Sequence, residues 1–454
     1  MNNRKILLVC DNRETRNWGS RGTSIALGQI LGFRGKIISI PRELAIKRQP
    51  VGPLRSYLSN GRHGRTVSRL IRKTRTFNAL YRLIGGRDDY VMPDPARTLE
   101  LFRREVRRGN TRLAELEQQF TQADRVVING GGAAVLHRPM TREQKFQLFA
   151  VELAASLGKP VTFVNIIAGS DSHSYYQSNV FNTSNGHTRK PVADEEMNIV
   201  TRSLRKCDVF VMCDPFSLQV MQELGFDNAR WYPDALFTWR TRYASLLDSD
   251  TMTKNPELLE PWPETDQVYR GTGSWSNPYI CVSSDACPTG RQDEMWIGFY
   301  DKLINELIRQ TGMQIVVVDP EGNEFLRPLC ERLAIPFVAS TINLFAGTGL
   351  LAGARAYVGG RYHPAIMASL GGAPCTILDS GEQLTGGLQH ILDYDEPVVF
   401  PIDPVESNIS AIVNDVIRKM DAGDDLRKRL INQAHTNSFR VKYGLCSTLS
   451  HQAF

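Results

Sequence analysis

A chain of 454 residues is too long for one ordinary hydrophobic core, so we expect at least two domains. Its composition, 42% hydrophobic and 22% charged residues, excludes extended disorder as the main state, and no apolar run approaches the ~18–20 residues of a membrane span. The scattered cysteines and histidines form neither a CxxC pair nor a metal-ligand spacing, so we expect reduced thiols, no metal or other cofactor, and a soluble cytoplasmic protein.

The first half of the chain alternates predicted strands with predicted helices. The apolar run Lys5–Cys10 predicts a strand, a polar first loop at 11–23 follows it, and Ser24–Leu31 has the pattern of a helix. Further strands are predicted at 36–40, 124–129, 160–165 and 207–213, and a helix at 142–157. This alternation predicts a parallel, doubly wound sheet in a Rossmann-like N-terminal domain over about 1–240.

A basic insertion at about 41–115 interrupts the alternation. Between Arg42 and Arg87 it contains twelve Lys or Arg and one acidic residue, although the net charge of the whole chain is only +6. An anionic lipid surface, an anionic substrate or nucleic acid would suit such a segment, and so would a solvated face without a partner. No nucleic-acid-binding motif accompanies it, so we expect no nucleic-acid partner. Its last part, Arg97–Phe120, has near-helical spacing of apolar residues.

A second alternating series follows residues 241–276, whose Thr, Pro and Ser content indicates a crossover between domains. Its predicted strands are 279–283, 314–318, 336–339, 354–358 and 374–378. We expect a second Rossmann-like domain over 277–435, which binds the donor, and a tail at 436–454 that packs back across the first domain. Two such domains facing a cleft form a GT-B-like α/β fold, in which ligands lie at the carboxyl ends of the strands.

The sharpest local signal is the stretch around Arg361 and His363. A predicted strand ends at Gly359-Gly360, and Pro364 suits the first turn of the helix that follows. Arg361 and His363 would therefore stand at a helix N-terminus, which favours an anion. Arginine adds a bidentate fork for phosphate or carboxylate, and histidine donates a hydrogen bond or a proton near neutral pH. An ion pair of Arg361 and a helix-capping role of His363 are the alternative.

Other predicted turns place small or polar residues at the same edge of each sheet. The glycine run after strand 124–129 would let the backbone approach a ligand closely. Asp214 is a candidate helix cap or a catalytic carboxylate. Asp234 could enter the cleft or belong to a turn. The candidate substrate-binding residues besides Arg361 are Arg21 in the first loop, Gly131, Gly132, Ser217, Ser283 and Ser284.

These turns, in this order, resemble the polysaccharide pyruvyltransferase family over most of the chain. The matching features include the glycine-containing first loop, Gly130–Gly132, Leu157-Gly158-Lys159-Pro160, Asp214-Pro215 with Ser217, Leu224-Gly225, Pro233-Asp234, and Arg361-Tyr362-His363 with Gly372-x-Pro374. The last stretch is the most specific, because the family usually has Arg-Leu-His, then a helix and Gly-x-Pro.

The resemblance implies a transferase of cell-envelope polysaccharide or exopolysaccharide biosynthesis. It would move the pyruvyl group of phosphoenolpyruvate, its donor substrate, onto a sugar of a polysaccharide or of a lipid-linked precursor, commonly as a ketal. The donor's roughly three negative charges require cationic and N–H partners. His363 would be the acid or a phosphate ligand, Arg361 and Arg21 would hold donor oxygens, and Asp234 or Asp214 would take the proton of the sugar hydroxyl. The basic insertion would bring the enzyme to the anionic inner membrane face as a peripheral protein.

Two departures from the family pattern leave alternatives open. Cys213 stands where the family often has Arg before Asp-Pro, and Asn165–Ser170 replaces its more usual Gly-Gln-x-Ile-Gly-Pro. A GT-B glycosyltransferase with an activated sugar donor is one alternative. Against it, no Asp or Glu that could hold a donor ribose occurs from Gly359 to Leu378. A catalytically inactive carbohydrate-binding relative is the other.

Overall fold

A computed structural model describes residues 4–52, 87–131, 140–168, 194–247, 277–283, 293–379 and 384–451. Within these ranges the named strands form two six-stranded sheets, and every neighbouring pair in them is parallel. Helices connect successive strands, so the expected architecture of two doubly wound α/β domains is confirmed. The candidate residues Gly132 and Ser284, and large parts of the basic insertion and the crossover, lie outside the described residues.

The first sheet has the strand order β2-β1-β3-β4-β5-β6. Its strands are β1 (Lys5–Asp11), β2 (Lys36–Pro41), β3 (Arg125–Asn129), β4 (Val161–Ile166), β5 (Val209–Met212) and β6 (Ala229–Trp231). Its helices are α1 (Trp18–Gly32), α2 (Arg42–Ile46), α3 (Pro95–Arg107), α4 (Thr111–Gln122), α5 (Arg142–Ser156), α6 (Asp194–Leu204), α7 (Pro215–Glu223) and α8 (Trp239–Arg242). The chain order reverses between β1 and β3, which makes that point the first domain's topological switch point.

The second sheet has the order β12-β11-β10-β7-β8-β9. Its strands are β7 (Tyr279–Ser283), β8 (Gln314–Val318), β9 (Phe337–Val338), β10 (Ala356–Gly359), β11 (Cys375–Leu378) and β12 (Val399–Phe400). Its helices are α9 (Asp293–Thr311), α10 (Arg327–Leu333), α11 (Leu344–Gly353), α12 (Tyr362–Leu370), α13 (Leu384–Ile391), α14 (Glu406–Asp421) and α15 (Gly423–His451). Read from β9, this is the 3-2-1-4-5-6 order of dinucleotide-binding domains, with its switch point between β7 and β10.

Two helices differ from the sequence-based expectation. The predicted helix Arg97–Phe120 is two helices, α3 and α4, because Gly109 adopts a left-handed φ of 83° and Asn110 caps α4 through Leu113 N. Helix α1 begins at Trp18, so the first loop is shorter than 11–23. Asn17 caps α1 by accepting a hydrogen bond from Ser20 N, at 2.9 Å.

Helix α15 runs back across the first domain and passes without a break through residue 435, where the tail was expected to begin. It packs against α1, α12 and the 3₁₀ helix Ala235–Thr238. Tyr232 lies against Gly444, and its hydroxyl is 3.3 Å from Thr448 Oγ1. In the described part of the chain, no helix combines the length and the apolar character required to cross a membrane.

Trp18 is a buried contact between the domains of the two sheets. Its side chain is 1% exposed, its indole N–H donates to Ser340 O at 3.0 Å, and its backbone N–H donates to Pro320 O at 3.0 Å. A Cβ built on Gly347 would lie 2.6 Å from the indole ring, so only glycine allows α11 to approach this closely. The N-terminus of α1 is therefore fixed on the second domain.

Candidate functional site

The carboxyl ends of β1 and β10 carry the residues that bring the two domains together. Asn17 and Trp18 follow β1, whereas Arg361 and His363 follow β10. Both turns adjoin the switch points of their sheets, where ligands bind in open α/β folds. The site is therefore built from the two positions that this topology favours.

Arg361 is the N-cap residue of α12, and its side chain is 6% exposed. Its Nη2 atom donates to Glu321 Oε2 at 2.7 Å, in the loop after β8. The other carboxylate oxygen of Glu321 accepts from Asn17 Nδ2 at 2.9 Å. Glu321 thus bridges the N-caps of two helices, one from each domain. Arg361 thus forms the ion pair that was the alternative to a bound donor, and Glu321 is its partner. Its role in binding the donor stays a prediction.

His363 lies in the first turn of α12 and faces the first domain. Its Nε2 atom is 3.6 Å from Asp234 Oδ2, and the side chains are 15% and 1% exposed. Asp234 Oδ1 accepts from Thr23 Oγ1 at 2.9 Å and from Leu236 N at 2.7 Å. These two hydrogen bonds fix the carboxylate, so its second oxygen is directed at the imidazole. The two become an ion pair when His363 is protonated.

The glycine at position 19 explains how His363 fits between the domains. A Cβ built on Gly19 would lie 2.4 Å from both Cγ and Nδ1 of His363, far below any real contact. The imidazole therefore packs directly on the backbone of α1, with Asp234 on its other side. A few residues later, a Cβ at Gly22 would lie 3.0 Å from Leu236. Both glycines allow close helix packing and do not belong to a loop.

The glycine turn after β3 belongs to a buried polar network at the same sheet edge. Asn129 Nδ2 donates to Ser24 Oγ at 2.9 Å, and its Oδ1 accepts from Gly131 N and from Asn165 Nδ2, both at 3.1 Å. Gly131 has a φ of 60°, and Asn165 adopts 53°. Asparagine tolerates this left-handed conformation better than most residues.

Asp214 forms a second group with Ser217 at the start of α7. Its Oδ1 accepts from Ser217 N at 2.9 Å and its Oδ2 from Ser217 Oγ at 2.5 Å, which confirms the helix cap. Ser217 Oγ also accepts from Ala168 N at 3.0 Å. Both side chains are buried, and Asp214 faces Gly387 of the second domain. A catalytic role for Asp214 and a substrate contact for Ser217 stay predictions.

Cys213 sits beside these carboxylates as an uncharged group. Burial raises the pKa of its thiol well above the usual range, and the negative charges of Asp234 and Asp214 add to the shift. The thiol therefore stays protonated at neutral pH. The residue before Asp214 is therefore a neutral side chain next to two acids.

Arg21 and Ser283 are two further candidate ligands of the substrate. Arg21 belongs to the first turn of α1 and not to a loop, and burial lowers the pKa of its guanidinium. Ser283 ends β7 and is fully buried, with its carbonyl accepting from Tyr300 Oη at 3.2 Å. Their assignment as substrate ligands stays a prediction. Sequence reasoning missed Asn17, Thr23 and Glu321, of which Asn17 was visible as a helix-capping residue before Trp18.

Solved structures with the same fold cover nearly the whole chain. The UDP-N-acetylglucosamine 2-epimerase of Rickettsia bellii is 12% identical, with a TM-score of 0.50 over 98% of this chain and 96% of its own. The UDP-GlcNAc 2-epimerase of Neisseria meningitidis, bound to UDP-GlcNAc, is 11% identical, with a TM-score of 0.51 over 98% and 100%. At such identities the likeness shows the fold alone, and that fold is GT-B.

A family model assigns the chain more narrowly. No curated protein matches the sequence. The model for the polysaccharide pyruvyl transferases, however, matches residues 46–382, which is well over half of the 454 residues. The matched range ends beyond the Arg361 and His363 stretch and contains Asp214, Asp234 and Glu321. The chain belongs to the polysaccharide pyruvyl transferase family, and it is a transferase.

Proposed function

We propose that this transferase moves the pyruvyl group of phosphoenolpyruvate onto two hydroxyls of a sugar, forming a cyclic ketal. The acceptor sugar belongs to a cell-surface polysaccharide or to its lipid-linked precursor. The observation that supports this proposal is the arrangement of Arg361 and His363 at the N-terminus of α12. There, Arg361 already binds a carboxylate, and His363 faces Asp234 of the other domain. Such a site combines anion binding with a proton donor.

In the first half of the reaction, His363 delivers its proton to the methylene carbon of the donor. This makes the neighbouring carbon electrophilic, and a sugar hydroxyl attacks it to form a new C–O bond. The hydroxyl's proton passes to His363, which is thereby recharged. Asp234 orients the imidazole and stabilises the imidazolium by its charge, because its Oδ2 lies 3.6 Å from Nε2.

In the second half, the C–O bond to phosphate breaks, and the second sugar hydroxyl attacks the same carbon. Its proton leaves with the phosphate, so one hydroxyl hydrogen ends in the new methyl group and the other on inorganic phosphate. Arg361 and Arg21 hold donor oxygens, and Arg21 stabilises the charge of the departing phosphate. No oxidant, reductant or second co-substrate is needed.

Acceptor-dependent release of phosphate from phosphoenolpyruvate tests the role of His363. We expect His363→Asn to lower kcat about a hundredfold or more, because general acid catalysis contributes about 10²–10⁴-fold. Arg361→Lys, which keeps the charge but loses the planar fork, should mainly raise KM for the donor. Wild-type turnover by His363→Asn would show that His363 is not the acid.

The location of the acceptor suggests a role for the basic insertion. We expect the protein to bind vesicles that contain anionic phospholipid through the twelve cationic residues between Arg42 and Arg87, and to bind neutral vesicles weakly. Screening by salt should release it, since the attraction acts over about 10 Å at 0.1 M salt. Vesicle sedimentation measures this. Binding that salt does not affect, or no binding at all, would contradict peripheral membrane association.

A further inference from the structure

The carboxylate of Glu321 lies where two helices of different domains begin. Arg361 is the N-cap residue of α12 and Asn17 the N-cap residue of α1, and each donates one hydrogen bond to it. Neither helix has an acidic residue in its own first turn. The negative charge that the N-terminus of each helix favours is therefore supplied by this one side chain.

The orientation of the Asn17 amide is settled by its neighbours. Its Oδ1 accepts from Ser20 N at 2.9 Å as the cap of α1, and an oxygen is required there. Its Nδ2 must then point away from the helix, towards Glu321. Asn17 is consequently a fixed donor for a carboxylate, and its direction does not depend on an arbitrary choice of amide rotamer.

The side chain of Glu321 makes the contacts with Arg361 and Asn17, whereas internal hydrogen bonds hold the loop from which it extends. Asp319 Oδ1 accepts from the backbone N–H groups of Glu321 and Gly322, at 3.2 and 3.0 Å, and its Oδ2 accepts from Glu324 N. The loop after β8 is thus fixed from within. The Glu321 side chain is 27% exposed, whereas that of Arg361 is 6% exposed. Rotation about side-chain bonds is enough to release the carboxylate while the loop stays in place.

We propose that the donor's carboxylate replaces the Glu321 carboxylate between Arg361 and Asn17. The inference rests on the proposed function and adds two assignments to it. Asn17 is a donor-binding residue, and Glu321 is the residue that competes with the donor for that site. The exchange keeps one carboxylate on Arg361 in both states, so its buried guanidinium is never left without a counter-ion.

The exchange also orients the donor for the proposed chemistry. Arg361 and His363 are separated by one residue at the start of α12. In phosphoenolpyruvate the carboxylate is attached to the carbon that must become electrophilic. Holding the carboxylate at Arg361 therefore keeps the reacting double bond close to His363. It also makes binding depend on both domains, because Asn17 belongs to the first and Arg361 to the second.

Calorimetric titration of the whole protein with phosphoenolpyruvate tests the competition. Glu321→Gln removes the competing charge, so the donor should bind more tightly, by about tenfold if the ion pair occupies the site nine times in ten. Without ligand this variant should melt at a lower temperature, because the ion pair between Arg361 and residue 321 is lost. The matched control is Glu324→Gln in the same loop, where Glu324 pairs with Arg327 at 3.0 Å. It should leave donor affinity unchanged.

The role of Asn17 is tested by Asn17→Ser, which keeps a good helix cap and removes the amide donor. In the Glu321→Gln background, where no carboxylate competes for Asn17, losing a hydrogen bond to a charged group should weaken binding of phosphoenolpyruvate about tenfold. Affinity for 2-phosphoglycolate, which also has a carboxylate, should fall in parallel. Methyl phosphate, which has none, should bind the variant and the wild type equally.

The outcomes separate this inference from the function on which it rests. If phosphoenolpyruvate binds the wild type, Glu321→Gln and Asn17→Ser with one affinity, the carboxylate exchange is wrong and the donor assignment stands. An equal loss for methyl phosphate and phosphoenolpyruvate in Asn17→Ser would also overturn it, because the effect would not concern the carboxylate. If phosphoenolpyruvate binds none of the three, both the exchange and the donor assignment are wrong.

Discussion

At the scale of single residues, the imidazole of His363 is held between the backbone of Gly19 and the carboxylate of Asp234. We expect Asp234→Asn to lower kcat at least tenfold and to change KM for the donor little, since Asp234 acts through His363. Thr23→Val removes one hydrogen bond to Asp234 but keeps its charge. That control should lower the free energy of unfolding by about 1 kcal/mol and lower kcat less than Asp234→Asn does. Unchanged kcat in Asp234→Asn would contradict the pairing.

The close packing of Gly19 on His363 gives a second residue-scale prediction. In Gly19→Ala the new methyl group would meet the imidazole ring, so the ring must move and kcat should fall at least tenfold. Gly28→Ala in the same helix is the matched control, because a Cβ there has no neighbour within 4 Å. It should be neutral or stabilise by up to about 1 kcal/mol. Equal turnover in the two variants would show that ring position is not critical.

At the scale of elements, the start of α1 shows what the sequence could and could not predict. The strands and helices on either side follow from apolar periodicity. The capping of α7 follows from Asp214, a good N-cap residue, directly before Pro215. Gly19 and Gly22 looked like loop glycines, which placed the helix start at Ser24 instead of Trp18. Their reason is packing against His363 and Leu236, residues more than 200 positions away in the chain, which no local pattern reveals.

The cap of α7 provides the element-scale prediction. Asp214→Ala should lower the free energy of unfolding by about 0.5–2 kcal/mol, as expected for a lost helix cap. Asp94→Ala removes the cap of α3, where Asp94 accepts from Ala96 N at 2.9 Å, and should have a similar effect. Urea unfolding measures both. At a temperature where both variants are folded, a turnover loss confined to Asp214→Ala would assign that carboxylate to the chemistry.

At the scale of the whole molecule, the two domains meet through side chains from turns far apart in sequence. Alternating strands and helices predicted both doubly wound sheets and the edge that carries the site. They could not predict that Glu321 would lie between Asn17 and Arg361, because that contact depends on how the domains dock. The anion site at Arg361 was predictable as a helix N-terminus, whereas its present occupant was not.

Trp18 tests whether the domains unfold as one unit. Trp18→Ala should cost about 3–5 kcal/mol, because the ring is buried and its indole N–H donates to Ser340. We expect calorimetric unfolding to separate into two transitions as the domains lose contact. Trp18→Phe keeps most of the packing, so its free energy of unfolding should fall less than that of Trp18→Ala. A single transition at the wild-type temperature in Trp18→Ala would contradict the role of this contact.

Transfer of labelled pyruvyl carbon tests the proposed reaction most directly. The protein would be incubated in D₂O with phosphoenolpyruvate labelled with ¹³C at its methylene carbon and with a polysaccharide or lipid-linked sugar acceptor. Nuclear magnetic resonance should then show a sugar-bound ketal whose labelled methyl group carries one deuterium, delivered by His363 after exchange with solvent. Phosphate should appear in equal amount. Label that never reaches the sugar, or that arrives with its double bond intact, would contradict ketal formation by pyruvyl transfer.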